Sequence, residues 1–260
     1  MVILFGSYAT GKWVEDRYIE KGITYEYRSD YDLLIIFEHE DFTHKFKIED
    51  KIKEQLVSTG KVQTPVNPIF HGIKHVNRAL SYGNYFFADI KKEGILLYDS
   101  GKFHLAEPKK LTPAENRQKA EDYFKQWFES ANEFLIDFNN AFGRNSLNKA
   151  AFELHQSAER YYTALLLVFT DYRPKDHNLE TLGIQAGMCD KRFKEVFPRR
   201  NEEEKRLFEL LKKAYIDARY KMDEYRITHE ELEYLAERVK VLQELTETIC
   251  KEKIENLGIA

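Results

Sequence analysis

The chain has 260 residues, with 40 Lys and Arg against 44 Asp and Glu, a net charge of -4 at pH 7 and a pI near 6.1. That balance argues against a nucleic-acid coat protein, because a dedicated phosphate-binding surface leaves a chain basic, and a hydrophobic fraction of 43% argues against global disorder. The length fits one large domain or two of roughly 100–150 residues. Cys189 and Cys250 have neither metal-ligand spacing nor the pattern of a disulfide framework. No apolar run reaches a membrane span, and "MVILFGSYAT" lacks the charged start and long apolar stretch of a signal peptide. A soluble, cytoplasmic protein with no membrane association is expected.

In chain order, "MVILF" reads as a strand entering a Gly6-Ser7 turn. "ITYEYRSDYDLLIIF" reads as one longer strand, alternating early and continuously apolar late, as a strand covered on both faces would be. A helix is expected over "HKFKIEDKIKEQLV" and a shorter one over "KHVNRALSYG". "KVQTPVNPIF" can be a strand only at an edge or with a bulge, since Pro65 and Pro68 donate no ladder hydrogen bonds. "NYFFADI" and "GILLYDSG" are expected to be extended.

After "YDSGKFHLAEPKKL" strand signals vanish. "TPAE" sets Thr112 as N-cap, Pro113 at N1 and Glu115 at N3, so a helix should run to about Gly143. Asn201 with Glu204, and Thr228 with Glu231, repeat this logic and start helices near 202 and 229. Between them "SLNKAAFELHQSAERYYTALLLVFT" is apolar over a wide face and stops by Pro174. The fold class is therefore α+β in two domains: a mixed α/β domain at 1–102, a linker at 103–112 and an antiparallel bundle of four or five helices at 113–260.

Asp30 and Asp32 are two apart in a strand, so both carboxylates project from one face, about 6–7 Å apart along the chain. Such a pair can converge on a hard cation such as Mg²⁺, completed by water and phosphates, while the Gly6-Ser7 turn lets backbone N–H groups and a hydroxyl approach a phosphate. Taken singly, each feature also reads as a polar strand edge; their order in the chain favours a phosphate and metal site.

"GSYATG" followed by "SDYDLLI" resembles the signature of the DNA polymerase β-like nucleotidyltransferases, specifically the minimal nucleotidyltransferases, over roughly residues 1–100. The resemblance implies that Gly6, Ser7 and Ser29 bind the nucleotide, that Asp30 and Asp32 hold Mg²⁺ or Mn²⁺, and that a nucleoside triphosphate, ATP foremost, donates its nucleoside monophosphate to an acceptor hydroxyl. The acceptor stays open between a small alcohol, RNA and a protein. The spacing from Gly6 to Asp30 exceeds that of compact members, so "KWVEDRYIEKGITYEYR" is expected to be an insertion containing a helix and a strand. A third carboxylate is expected on a neighbouring strand; "TPVNPIF" offers Asn67 there, and Asp89 is the nearest acidic substitute by strand position.

"FELHQSAERYYTALLLVFTDYRPKDHNLETL" with "LFELLKKAYIDARY" resembles the HEPN domain over roughly 113–250, resting on "PKDHNL" and "ARY". Many HEPN domains are ribonucleases with an Arg followed after four to six residues by His; here Arg219 is followed by Tyr225 near that place, and His229 lies too far along. Arg219 is then a phosphate-binding or structural residue, in a Lys-, Arg- and Tyr-bearing segment, "ELLKKAYIDARYKMDEYR", read as one helix. Tyr220 or Tyr225 is a candidate nucleotide acceptor, because related antitoxins resemble enzymes that adenylylate tyrosines of a HEPN partner. His155 is read as a buried core histidine with a catalytic role as the alternative, and His177 as a residue near a helix cap, with Asp176 the candidate N-cap. Leu232, Leu235, Val239, Leu242, Leu245 and Ile249 form a core stripe whose near-heptad spacing could also pair two copies of the chain. The leading function is Mg²⁺-dependent nucleotidyl transfer with the helical domain binding or presenting substrate. The alternatives are a catalytically degenerate nucleotide-binding protein of toxin-antitoxin type and, weakest, a HEPN ribonuclease.

Overall fold

The computed structural model describes residues 1–11, 15–20, 23–28, 30–39, 51–52, 54–55, 64–174, 177–221 and 223–257, in 15–20 and 23–28 for the backbone alone. The chain divides into two compact units, Met1–Lys110 and Leu111–Ala260. The first is mixed and the second helical, an α+β layout in two domains. Residues 103–110 are tied to the first unit: Asn77 donates its amide to the His104 carbonyl (3.1 Å) and accepts from the Ala106 N–H (2.7 Å), and the Lys109 N–H donates to the Leu80 carbonyl (2.9 Å).

The first unit runs β1 (Val2–Phe5), α1 (Ser7–Thr10), β2 (Glu15–Glu20), β3 (Ile23–Arg28), β4 (Tyr31–Phe37), β5 (Val66–Gly72), α2 (Ile73–Ser81), α3 (Tyr85–Glu93) and β6 (Ile95–Tyr98). Four strands form one sheet in the order β5-β4-β1-β6. β1 lies antiparallel to β4 and β6, and β4 parallel to β5. β5 is an edge strand, which is why Pro68 is tolerated within it. On β4, Leu34 and Ile36 share one face by the two-residue repeat, and Leu34 meets Ile3 across the ladder. All three are buried, with Val76, Leu80, Phe87 and Ile90 of α2 and α3 in the same core.

Three expectations need correction here. The long strand of "ITYEYRSDYDLLIIF" is two strands, because β3 pairs only with β2 as a separate hairpin and the main sheet begins at Tyr31. The segment before Asp30 accordingly contributes these two strands in its described residues, 15–20 and 23–28, where a helix and a strand were expected. "NYFFADI" is the helix α3, not an extended segment: Asn84 caps it by accepting from the Phe87 N–H (3.0 Å), and the buried pair Phe87 and Ile90 lies at helical spacing. Of the helix expected over "HKFKIEDKIKEQLV", residues 51–52 and 54–55 are helical and the rest lies outside the described residues.

The second unit consists of α4 (Pro113–Gly143), α5 (Leu147–Thr170), α6 (Leu179–Cys189), a 3₁₀ turn (Lys191–Glu195), α7 (Glu202–Lys213), the single-turn α8 (Asp217–Tyr220) and α9 (His229–Leu257). Thr112 and Glu115 form the expected capping box, Asn201 accepts from the Glu204 N–H (2.8 Å), and Thr228 and Glu231 cap α9 reciprocally. Asn178 is the N-cap of α6; the expected cap Asp176 lies outside the described residues. α5 is buried on nearly its whole circumference, so it is the central helix around which the others pack. From α9, Leu232, Leu235, Val239, Leu242 and Ile249 are buried in this core and Leu245 is partly so. The segment "ELLKKAYIDARYKMDEYR" is not one helix. α7 stops at Lys213 and the chain turns, so that Ala218, Tyr225 and Ile227 reach the core before α9 begins.

Candidate functional site

In the first unit, strand parity decides the chemistry of Asp32. It continues the buried face of Leu34 and Ile36, opposite Phe5 on β1 and Asn67 on β5. The Asn67 amide donates to Asp32 Oδ1 at 3.1 Å. The second oxygen lies against Gly6, where an added Cβ would stand only 2.5 Å from Oδ2. Gly6 has φ 75° and ψ -150°, a region essentially restricted to glycine. Burial pushes the Asp32 carboxyl up to about 6; the Asn67 hydrogen bond opposes that rise and the Asp30 carboxylate adds to it.

Gly6, Asp30 and Asp32 therefore lie together where β1 and β4 run side by side, and Ser7 follows Gly6 at the start of α1. Thr10 fastens the Gly6 turn from the far end of α1, its hydroxyl and N–H both donating to the Gly6 carbonyl (3.1 and 3.2 Å). Ser29 lies outside the described residues. Asn67 occupies the register position opposite Asp32, where the third acid was sought, and it presents an amide. Asp89 stands on helix α3, so its choice by strand position loses its basis; its carboxyl is raised by burial and by Glu93. No cluster of three or more His, Cys, Asp or Glu placed to hold a metal occurs among the described residues. Two adjacent carboxylates still fit Mg²⁺, which takes one or two acids and fills its shell with water and phosphate oxygens. A partly desolvated Asp32 carboxylate with the Asp30 carboxylate beside it is the arrangement a hard cation relieves.

In the second unit, α5 carries His155 and Glu159 one turn apart, both buried. His155 Nδ1 donates to the Leu211 carbonyl of α7 (3.0 Å), an acceptor that fixes the proton on that nitrogen. His177, half exposed in the loop before α6, donates from Nδ1 to Glu159 Oε2 (3.0 Å), and His155 Nε2 lies 3.7 Å from the same oxygen. Burial alone would raise the Glu159 carboxyl; the neighbouring His155 and His177 imidazoles outweigh it and hold the carboxyl low, with the hydrogen bond itself coming from His177. The His177 and His155 rings both stack on Tyr215.

Arg219 lies against the same ring. Its Nε donates to the Tyr215 carbonyl (2.6 Å), and its guanidinium stands 4.7 Å from the Phe152 and Tyr215 ring centres and 4.9 Å from that of Tyr220. Tyr220 is 74% exposed, whereas Tyr225 is buried and donates its hydroxyl to the Leu210 carbonyl (2.9 Å). His229 packs on Phe142, away from this group. The sequence pointed to His155 and Arg219 but missed Glu159 and Tyr215. The one signal for Glu159 was its four-residue spacing from His155.

No helix among the described residues is long and apolar enough to cross a membrane. No curated protein matches the chain. A family model does match, and it lies wholly in the second unit: the HEPN domain, over residues 124–251. The match runs from within α4 to within α9, so the helical unit carries a HEPN domain at residues 124–251.

Proposed function

We propose that the chain is a Mg²⁺-dependent nucleotidyltransferase whose first unit binds a nucleoside triphosphate at Gly6, Ser7, Asp30 and Asp32. The HEPN domain, of a class tied to nucleotides and RNA, binds or presents the acceptor. The observation that carries this reading is the partly buried Asp32 carboxylate, anchored by Asn67, pressed on Gly6 and charged against Asp30. In the reaction an acceptor oxygen bonds to the α-phosphorus, the bond to the bridging oxygen breaks, pyrophosphate leaves with its electron pair, and the acceptor proton passes to a base or to solvent. A bound Mg²⁺ would supply charge neutralisation of the phosphates. Gly6 leaves room for the phosphates by having no side chain, and Asn67 fixes one Asp32 oxygen so that the other keeps its aim.

A second reading, nucleotide binding without transfer, is favoured by Asn67 itself. An amide cannot take the acceptor proton, so transfer needs a base from elsewhere. If the acceptor is on this chain, Tyr220 is the accessible choice of the two tyrosines considered, since Tyr225 is buried and engaged. The test is incubation with α-labelled ATP and Mg²⁺, alone and with RNA or small alcohols, followed by label tracking and intact mass. Label transfer abolished in the Asp30→Ala plus Asp32→Ala variant supports the first reading. Binding with no label moved supports the second. Absence of both overturns the pair.

A further inference from the structure

The main sheet ends on one side in β5 and on the other in β6. The β5 edge is blunted by Pro68, which has no N–H, and by the burial of Phe70, His71 and Gly72. The β6 edge has no such guard. Ile95, Leu96, Leu97 and Tyr98 are between 46% and 60% exposed, four large apolar side chains in a row with no charge and no proline among them. Successive strand residues point to opposite faces, so both faces are bare at this edge. Its backbone is open as well. Met1 and Ile36 exchange both hydrogen bonds (3.1 and 2.9 Å), so by alternation Ile3 also turns its N–H and C=O to β4. The pairing of β6 with β1 slips between Val2 and Ile3, so Leu96 stands opposite a residue already engaged and Leu97 has no counterpart.

We propose that β6 is a self-association edge, at which two copies of the chain pair antiparallel across a two-fold axis between Leu96 and Leu97 and join their sheets into one. In that register Ile95 faces Tyr98 of the second copy twice and Leu96 faces Leu97 twice, so every exposed side chain of the strand gains an apolar cross-strand neighbour. The charges at the strand ends fit the same direction. Lys92 lies exposed before β6, with the exposed Glu93 beside it at 3.4 Å, and Asp99 lies exposed directly after β6. Antiparallel copies bring each Lys92 to the end that carries Asp99 of the other copy, and each Glu93 to the end that carries the exposed Lys102. Parallel copies would set like charges together, and an unrelated strand would meet the apolar residues without this end-to-end order. β6 belongs to the first unit, so the pairing stands apart from any association of the helical domain.

Sedimentation velocity of the full chain over about a hundredfold range of concentration, with amide hydrogen exchange on the same samples, tests the edge. The chain should self-associate, and the Leu96 and Leu97 amides should be protected in the associated state. Leu96→Lys with Leu97→Lys should abolish both, while exchange in β4 and β5 stays as in wild type and shows that the unit is folded. Lys92→Asp should weaken association about three- to tenfold, and adding Asp99→Lys to it should restore the wild-type strength. A monomer at every concentration, or Leu96 and Leu97 amides that stay unprotected in an associated chain, would overturn the proposal. Association undiminished in the lysine variant would overturn it too, by placing the contact elsewhere, such as on the helical domain. Failure of the charge exchange to restore association would overturn the two-fold register.

Discussion

Replacing Asp32 by asparagine should stabilise the first unit while removing its function. In the folded chain this carboxyl titrates near 6, against an ordinary value of 3.8. Between those values the folded state therefore binds more protons than the unfolded chain. A carboxyl raised in this way adds stability at low pH, loses it as pH rises from about 4 to 6, and leaves a cost on the order of 3 kcal/mol at neutral pH. Asp32→Asn keeps an acceptor for the Asn67 amide and removes the charge, so most of that cost should disappear. Amide hydrogen exchange on β1 and β4, followed from pH 5 to 8, reads the first unit alone. Wild type should lose protection relative to the variant as pH rises through 6, and the variant should exceed it by roughly 1–3 kcal/mol at pH 7.5. Mg²⁺ with ATP should restore protection in wild type only. A pH dependence that persists in Asp32→Asn would refute the assignment of the burial cost to this carboxyl.

Gly6→Ala should lose nucleotide binding and about 1–3 kcal/mol of first-unit stability, seen by exchange and calorimetry, because the methyl meets Asp32 Oδ2 and the backbone conformation suits only glycine. Tyr225→Phe should cost about 1 kcal/mol in urea unfolding of the second unit, since its hydroxyl bond to the Leu210 carbonyl is lost while that carbonyl keeps the Ala214 N–H. Glu159 is held low in the folded state, so its contribution is present above the ordinary glutamate value of 4.5 and lost as pH falls. Glu159→Ala should lower the free energy of unfolding of the second unit at pH 7 by an amount on the order of 3–5 kcal/mol, read from urea titration, and the deficit should shrink toward pH 3.

The sequence disclosed the elements whose signals are local. The capping box at Thr112 and Glu115, the Asn201 cap and the α9 stripe depend on residues within one or two turns. Asn67 was expected on a strand neighbouring Asp32, and β5 sets it opposite Asp32 in the parallel ladder. What failed was aromatic-rich sequence and long-range pairing. "NYFFADI" carries as many strand formers as helix formers, and its helix is decided by the Asn84 cap and by burial of Phe87 and Ile90. "ITYEYRSDYDLLIIF" gave no mark of its break, because only the partner β2 reveals that β3 leaves the sheet. Glu159 meets His177 across eighteen residues of chain, which no spacing rule could join.

The central claim is that Gly6, Asp30 and Asp32 bind a metal nucleotide. Titration of the full chain with ATP in the presence and absence of Mg²⁺ tests it most directly. Saturable binding that requires Mg²⁺ and disappears in Asp30→Ala plus Asp32→Ala is the predicted result. Binding that survives the double substitution, or no binding by wild type with Mg²⁺ present, would contradict it.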